Sequence, residues 1–272
     1  MALGIDQSQE REGHDRTITT FPGKQNELLE HVMALGKTKT ILVSFSGGAM
    51  SLGKGAKAPA IISAIYGGEA AAPALADVLF GKYNPSGKLA ATMYPADYVK
   101  QINLTEMGLT VGPGRTHMFY TGKPEFAFGT GLSYTSRSME WAGSSTGGSV
   151  DIVYSLSGAA DASPVSEVEV ELANVGGRAG RQTLLCFWRP KSPLATGTKI
   201  QQKLVAYKGT GVEIAPGARA SLKFAVSKDM FALAASDSQD QDALEVAIGE
   251  YELVVSHGDH KQAITRTIKV VA

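Results

Sequence analysis

Lys24–Phe45 reads KQNELLEHVMALGKTKTILVSF, and the spacing of its apolar residues decides what kind of fold surrounds it. Leu28, Leu29, Val32, Met33 and Leu35 recur at the intervals that put side chains on one face of a helix, and Gly36 supplies a natural stop. Phe21-Pro22-Gly23 leads in, so Pro stands near the helix start and Gly just past its end. The period then changes. Thr40–Phe45 is a short apolar run rich in β-branched residues, the pattern of a buried strand. Moving outward, Ala60–Tyr66 repeats the strand signal. Glu69–Phe80 repeats the helix: Pro73 is tolerated in its first turn, Leu75, Val78 and Leu79 face inward, and Gly81 caps it. Lys88–Tyr94 reads as a third strand. Strands separated by helices imply parallel pairing with helices covering the sheet.

From about Tyr134 the character shifts. Ser136–Ser149 is rich in Ser, Gly and Thr, and the segments beyond it are strand-like: Val150–Leu156, Val165–Ala173, Thr183–Trp188, Lys203–Tyr207, Ala220–Val226, Gly249–Ser256 and Ile264–Val271. In one of them Val168, Val170 and Leu172 alternate with Glu167, Glu169 and Glu171, as a half-buried strand requires. About seven short strands with turn signals between them predict an all-β sandwich. Ser236–Asp242, SDSQDQD, reads as a polar loop.

The first half offers three strands, few for a doubly wound sheet, and Gly4–Arg16 is loop-like with no strand predicted before it. An open parallel sheet lacking neighbours would expose unpaired backbone. The expectation is a sequence that begins inside a domain.

Composition bounds the function classes. Apolar residues make up 43% of 272 residues and charged residues 19%, which suits a globular chain with a real core. Twenty-six basic residues balance 26 acidic ones, so the long-range field that draws a protein to nucleic acid or an anionic membrane is missing. Neutral ligands such as sugars remain open. Cys186 is the only cysteine, which excludes an intrachain disulfide or a thiolate metal cluster. Met1–Gln9 lacks the basic and apolar regions of a signal peptide, and no apolar run approaches the roughly 20 residues of a membrane span. The chain as written is expected to be soluble, with no cofactor and no partner among nucleic acids or membranes.

A family resemblance enters through motifs. Gly4-Ile5-Asp6-Gln7-Ser8-Gln9-Glu10-Arg11-Glu12-Gly13-His14-Asp15-Arg16 resembles a segment of the β-xylosidase-like branch of glycoside hydrolase family 3. Pro22-Gly23-Lys24-Gln25, Ser46-Gly47-Gly48 and Tyr66-Gly67-Gly68-Glu69 follow in order. So do Leu79–Leu89 (LFGKYNPSGKL), Phe119–Pro124 (FYTGKP) and Phe128–Thr135 (FGTGLSYT). Asn174-Val175-Gly176 and Ala179-Gly180 resemble a fibronectin-type-III-like module. The resemblance implies an α/β plus all-β fold: a partial α/β sandwich over 1–134, a mostly parallel sheet flanked by helices, then a fibronectin-type-III-like β-sandwich over 135–272. It also implies retaining hydrolysis of terminal β-linked xylosides or glucosides. In such enzymes a nucleophilic aspartate comes from an N-terminal barrel, and a glutamate of the second domain acts as acid and then base.

Retention needs two carboxyl groups about 5–5.5 Å apart, one ionised to attack and one protonated to give its proton to the leaving oxygen. Aligned back from Arg16, Glu12 falls at the family's acid/base position, and Glu10 is the alternative. Without the resemblance both would read as solvated loop carboxylates. Asp15 and Arg16 read as a structural pair, and His14 as an exposed loop histidine. No barrel is legible here, so the expected partners are a β-linked oligosaccharide or glycoside and a separate barrel domain or chain, with this polypeptide inactive alone. The competing reading is a non-catalytic carbohydrate- or protein-binding module.

The sequence departs from the family pattern at Tyr66–Ala72, where a Pro and later glycines are usual, and at Leu89-Ala90, where Pro commonly follows Leu. Gly48–Lys54 has the spacing of a phosphate loop, but Gly55 stands where Ser or Thr should hold Mg²⁺; it reads as a flexible loop. Asn103-Leu104-Thr105 fits a glycosylation acceptor that matters only after export.

Overall fold

The computed structural model describes residues 1–36, 39–143, 152–155, 166–194, 197–234 and 244–271. They fall into two compact units, Met1–Phe80 with Leu89–Gly129, and Gly81–Lys88 with Thr130–Ala272.

The first unit is built on three parallel strands in the order β1 (Ala2–Gly4), β2 (Ile41–Phe45), β3 (Ala60–Ala64). Helix α1 (Gln25–Leu35) joins β1 to β2, and α2 (Ala71–Leu79) follows β3. Ala2–Gly4 is therefore a strand, which corrects the reading that nothing precedes the loop at Gly4. Three residues are too few to show a period, so only pairing with Val43–Phe45 reveals it. Lys88–Tyr94, expected as a strand, joins no sheet: Met93 makes an isolated bridge to Phe126. Leu3, Ile5, Phe21, Leu29, Leu42, Met50, Leu52 and Met93 form the buried core of this unit. Only Leu29 of the α1 stripe is buried, and α2 buries no residue at all although Leu75, Val78 and Leu79 give it an apolar face. A short helix α3 (Thr116–Phe119) completes the unit.

The second unit is all β. Strands β4 (Arg137–Trp141), β6 (Ser166–Asn174) and β9 (Arg219–Val226) pair antiparallel in the order β4-β6-β9. A larger sheet runs β5-β13-β12-β7-β8, from β5 (Ile152–Ser155), β7 (Thr183–Pro190), β8 (Lys203–Gly209), β12 (Gly249–Ser256) and β13 (Ile264–Val271). The strands β10 (Ala232–Ala234) and β11 (Leu244–Val246) make a small ribbon. β4 begins inside the stretch read as a Ser/Gly/Thr-rich connection, because Arg137, Met139 and Trp141 alternate within it too briefly to stand out. The polar tract Ser236–Asp242 lies outside the described residues.

Alternation does the folding work here. Val168, Val170 and Leu172 of β6 and Leu222, Phe224 and Val226 of β9 are buried, while the glutamates that alternate with the former lie on the other face: Glu171 pairs with Arg219, Glu167 with Lys223, and Glu169 accepts from Ser221 Oγ. Trp188 and Tyr251 of the larger sheet pack with Phe231, ring centroids 4.9 to 5.7 Å apart, Trp188 stacked on Phe231 and edge-on to Tyr251. Their polar tips are satisfied: Trp188 Nε1 donates to Met230 O at 2.7 Å and the Tyr251 hydroxyl to Ala247 O at 2.6 Å. Side-chain bonds tie the two sheets together: Trp141 Nε1 donates to Thr265 O on β13 and Lys208 Nζ to Lys223 O on β9.

Candidate functional site

In a parallel sheet every strand ends at the same edge, so the loops that follow the strands gather there, the usual place for ligands in α/β folds. In the first unit these loops are Ile5–Thr20 after β1, Ser46-Gly47-Gly48 after β2 and Tyr66-Gly67-Gly68-Glu69 after β3. Both candidate carboxylates, Glu10 and Glu12, stand on the first.

That loop is anchored at its root. Gln25, on the first turn of α1, clamps the backbone of Gly4 with both ends of its amide: Gly4 N–H donates to Oε1 at 2.8 Å, and Nε2 donates to Gly4 O at 2.9 Å. A side chain on Gly4 would put its Cβ 2.2 Å from Phe45 O, so only glycine lets β1 lie this close to β2. Tyr66, in the loop after β3, adds a second tie, its hydroxyl donating to Ile5 O at 3.0 Å. Asp6 then turns the chain: its Oδ1 accepts from Ser8 N–H at 2.8 Å, and the hydrogen bonds from Ser8 hold the Asp6 carboxyl below its ordinary value.

The tip is a tight turn. Arg11 and His14 exchange backbone hydrogen bonds at 3.1 and 2.9 Å, which places Glu12 and Gly13 at its two central positions. Gly13 has φ +71°, as the second of these requires. Glu12 is exposed and makes no hydrogen bond or ion pair with any described residue. Glu10 is committed elsewhere. Its carboxylate pairs with Arg16, whose side chain is largely buried and whose Nη1 finds no acceptor. The expected pairing of Arg16 with Asp15 is thus replaced by one with Glu10. Six residues of separation let the chain fold back, whereas adjacent side chains on an extended segment point apart. His14 is exposed, its backbone closing the turn.

The phosphate-loop spacing at Gly48–Lys54 also resolves. Glu125 occupies the donors there: its carboxylate accepts from Ser51 Oγ at 2.6 Å, Leu52 N–H at 2.7 Å and Gly53 N–H at 3.2 Å. With Met50, Ser51 and Leu52 buried, the segment is a pinned wall of the core, not a flexible loop, and its amides are unavailable to a phosphate. Farther along the unit Tyr94, Tyr98 and Tyr120 form an aromatic cluster with ring centroids 4.1 to 5.5 Å apart. There Thr116 holds φ +62° while its N–H donates to the Tyr94 hydroxyl at 2.6 Å.

Sequence reasoning missed Gln25, Tyr66 and Glu125 as positioning residues. Gln25 and Tyr66 stand in the quoted motif segments, but nothing in a linear pattern says that an amide 21 residues away clamps Gly4. Among the described residues no group of three or more His, Cys, Asp or Glu is arranged to hold a metal ion, and no helix is long and apolar enough to cross a membrane.

Residues 1–134 match the glycosyl hydrolase family 3 C-terminal domain. Among curated proteins, beta-D-xylosidase 3 of Arabidopsis thaliana is 35% identical over 229 residues, which covers 75% of this chain and 29% of that protein. A probable exo-1,4-beta-xylosidase of Neosartorya fischeri is 32% identical over 277 residues, covering 96% of this chain and 34% of its own length. Among solved structures, a family 3 exo-beta-xylosidase in complex with a xylobiose aziridine probe superposes with a TM-score of 0.81 at 24% identity, over 99% of this chain and 35% of that one. A β-glucosidase from Erythrobacter marinus gives 0.74 at 27% identity, over 100% and 34%. The chain spans about a third of the length of the curated relatives it matches.

Proposed function

Since this chain belongs to glycosyl hydrolase family 3 through the C-terminal domain at residues 1–134, we propose that it works in the retaining hydrolysis of terminal β-linked xylosides or glucosides, supplying the acid/base carboxyl from Glu12 while a barrel domain or chain supplies the nucleophile. The observation that carries this reading is the contrast on one loop. Glu10 is tied to Arg16, whereas Glu12 stands exposed and unpartnered on a turn whose root is clamped by Gln25 and Tyr66. A general acid must keep an oxygen free for the leaving group and must be held still while it gives up its proton. Glu12 meets both conditions and Glu10 meets only the second.

The chemistry then follows. The partner's carboxylate attacks the anomeric carbon from one face as Glu12 passes its proton to the departing glycosidic oxygen. Glu12, now ionised, takes a proton from the water that hydrolyses the glycosyl ester. Two features of the first unit support a partner. β3 is an edge strand, and α2 leaves its apolar face without a buried residue; both gain from further layers of structure. For the second unit we infer the fibronectin-type-III-like sandwich over residues 135–272, supported by its two antiparallel-rich sheets with alternating buried faces.

The test uses the purified chain and the same chain combined with a family barrel domain. Alone it should leave aryl β-xylosides and β-glucosides intact. Combined, activity should appear, and Glu12→Gln should slow substrates with poor leaving groups about 10²–10⁴-fold. Activated dinitrophenyl glycosides, which need no proton, should be far less affected, and azide should restore deglycosylation. Turnover by the chain alone, or equal loss on both substrate types, overturns the assignment of parts.

A further inference from the structure

Two tripeptides in this chain place Ser or Thr two residues after Asn: Asn84-Pro85-Ser86 and Asn103-Leu104-Thr105. That is the spacing of an N-linked oligosaccharide acceptor, which takes any central residue except proline. The fold treats the two in opposite ways. Asn84 is 5% exposed and both ends of its amide are spent. Its Oδ1 accepts from Ser133 Oγ at 2.9 Å and Tyr134 N–H at 2.8 Å, and its Nδ2 donates to Ala179 O at 3.0 Å. Pro85 excludes it a second time. This asparagine serves the fold.

Asn103, Leu104 and Thr105 are all exposed. Asn103 Oδ1 accepts from Thr105 N–H and Thr105 Oγ1, each at 3.1 Å. A backbone N–H can only donate, so the amide oxygen has to face Thr105 and the NH₂ group has to face away from it. Nδ2 makes no hydrogen bond to any described residue. Meanwhile the Asn103 carbonyl accepts from Glu106 N–H at 3.1 Å and Arg115 Nη2 at 3.3 Å, which pins the backbone of the turn. The amide nitrogen is thus presented to solvent from a held backbone.

We propose that Asn103 is an N-glycosylation site, taking its glycan from a lipid-linked oligosaccharyl diphosphate in a secretory compartment. In the transfer Nδ2 bonds to the anomeric carbon and loses one proton. The bond from that carbon to the diphosphate oxygen breaks, and the lipid diphosphate leaves with the electron pair. The turn that aims the nitrogen closes within three residues, so it can form in a nascent chain before any sheet exists. The finished fold then accepts the product, because Nδ2 gives up no protein partner. A sugar on Asn84 would have to enter a buried, fully bonded amide.

The experiment directs the full chain, with a cleavable export signal added, through a eukaryotic secretory pathway and reads its mass. A single N-glycan should appear. Peptide N-glycosidase should remove it and leave a carboxylate in place of the Asn103 amide in the peptide map. Asn103→Gln and Thr105→Ala should each abolish the mass shift, whereas Thr105→Ser keeps the hydroxyl and should retain it. Should any of these chains fail to be secreted, translation into microsomal membranes reads the same shift without requiring a folded product. An unmodified parent chain in both settings, or a glycan that survives Asn103→Gln, overturns the proposal.

Discussion

Asn174 and Glu12 both stand in motif segments, and their surroundings differ in every respect. Asn174 is fully buried; its Oδ1 accepts from Thr135 Oγ1 and Gly176 N–H, and its Nδ2 donates to Arg178 O and Ile214 O. Glu12 is exposed and accepts from none of the described residues. A polar side chain whose capacity is spent inside the chain specifies the fold, since each of its partners would otherwise be buried and unpaired. One that is held on a rigid turn with its capacity unspent is available to a substrate. Motif resemblance alone cannot separate the two kinds, and hydrogen-bond accounting does.

The comparison can be broken at its buried end. Asn174→Ala removes both ends of the amide and orphans several groups, so it should cost about 3 kcal/mol, read as a lower urea midpoint with unchanged slope. Asn84→Ala should act in the same direction by about 2 kcal/mol, because Ala179 O and Tyr134 N–H lose their partner. A neutral result at Asn174 would mean that water replaces the amide, and the distinction drawn above would fail.

Lys88 sharpens it through pH. Its folded ammonium titrates at about 8 against 10.5 for the exposed group. Between those values the unfolded chain binds more protons, so this group's contribution to stability rises with pH there and is flat and unfavourable below. After allowance for partial solvent access the rise should be about 1–2 kcal/mol. The difference between the parent chain and Lys88→Met, measured from pH 7 to 11, isolates it from Tyr251 and Cys186, whose raised values act in the opposite direction.

Gln25→Ala tests the root of the Glu12 loop. Losing the two-sided clamp on Gly4 should cost about 1–2 kcal/mol and speed amide exchange at Gly4 and Ile5 more than elsewhere in the sheet. Uniform exchange would show that Tyr66 alone fixes the loop.

Much of this was legible in the sequence. The helix at Gln25–Leu35 and the strands at Ile41–Phe45, Gly249–Ser256 and Ile264–Val271 announce themselves because each carries a full period of apolar residues. Ala2–Gly4 and Arg137–Trp141 did not, because their identity lies in the strands they pair with. Lys88–Tyr94 misled for the opposite reason. Its composition suits a strand, but its backbone meets Glu125–Gly129 only at separate points, Leu89 O accepting from Gly129 N–H and Met93 bridging Phe126, so no ladder forms. At the candidate site the types of residue were readable and their pairing was not. Arg16 choosing Glu10 over its neighbour Asp15 is a consequence of the turn between them.

The smallest expected effect is the one that bears most on function. Glu12→Gln changes an exposed carboxylate that pairs with none of the described residues, so stability should stay within about 0.5 kcal/mol of the parent. Glu10→Gln breaks an ion pair whose arginine side chain is 13% exposed and whose glutamate is 45% exposed. That loss should reach about 1 kcal/mol and no more, since a half-exposed pair is screened by solvent. The order matters more than the sizes. If Glu12 proves the costlier substitution, its carboxylate is engaged in holding the turn, and the free acid of the proposed mechanism has to be sought at Glu10. If the order holds, the residue that contributes least to the fold is the one left free to move a proton.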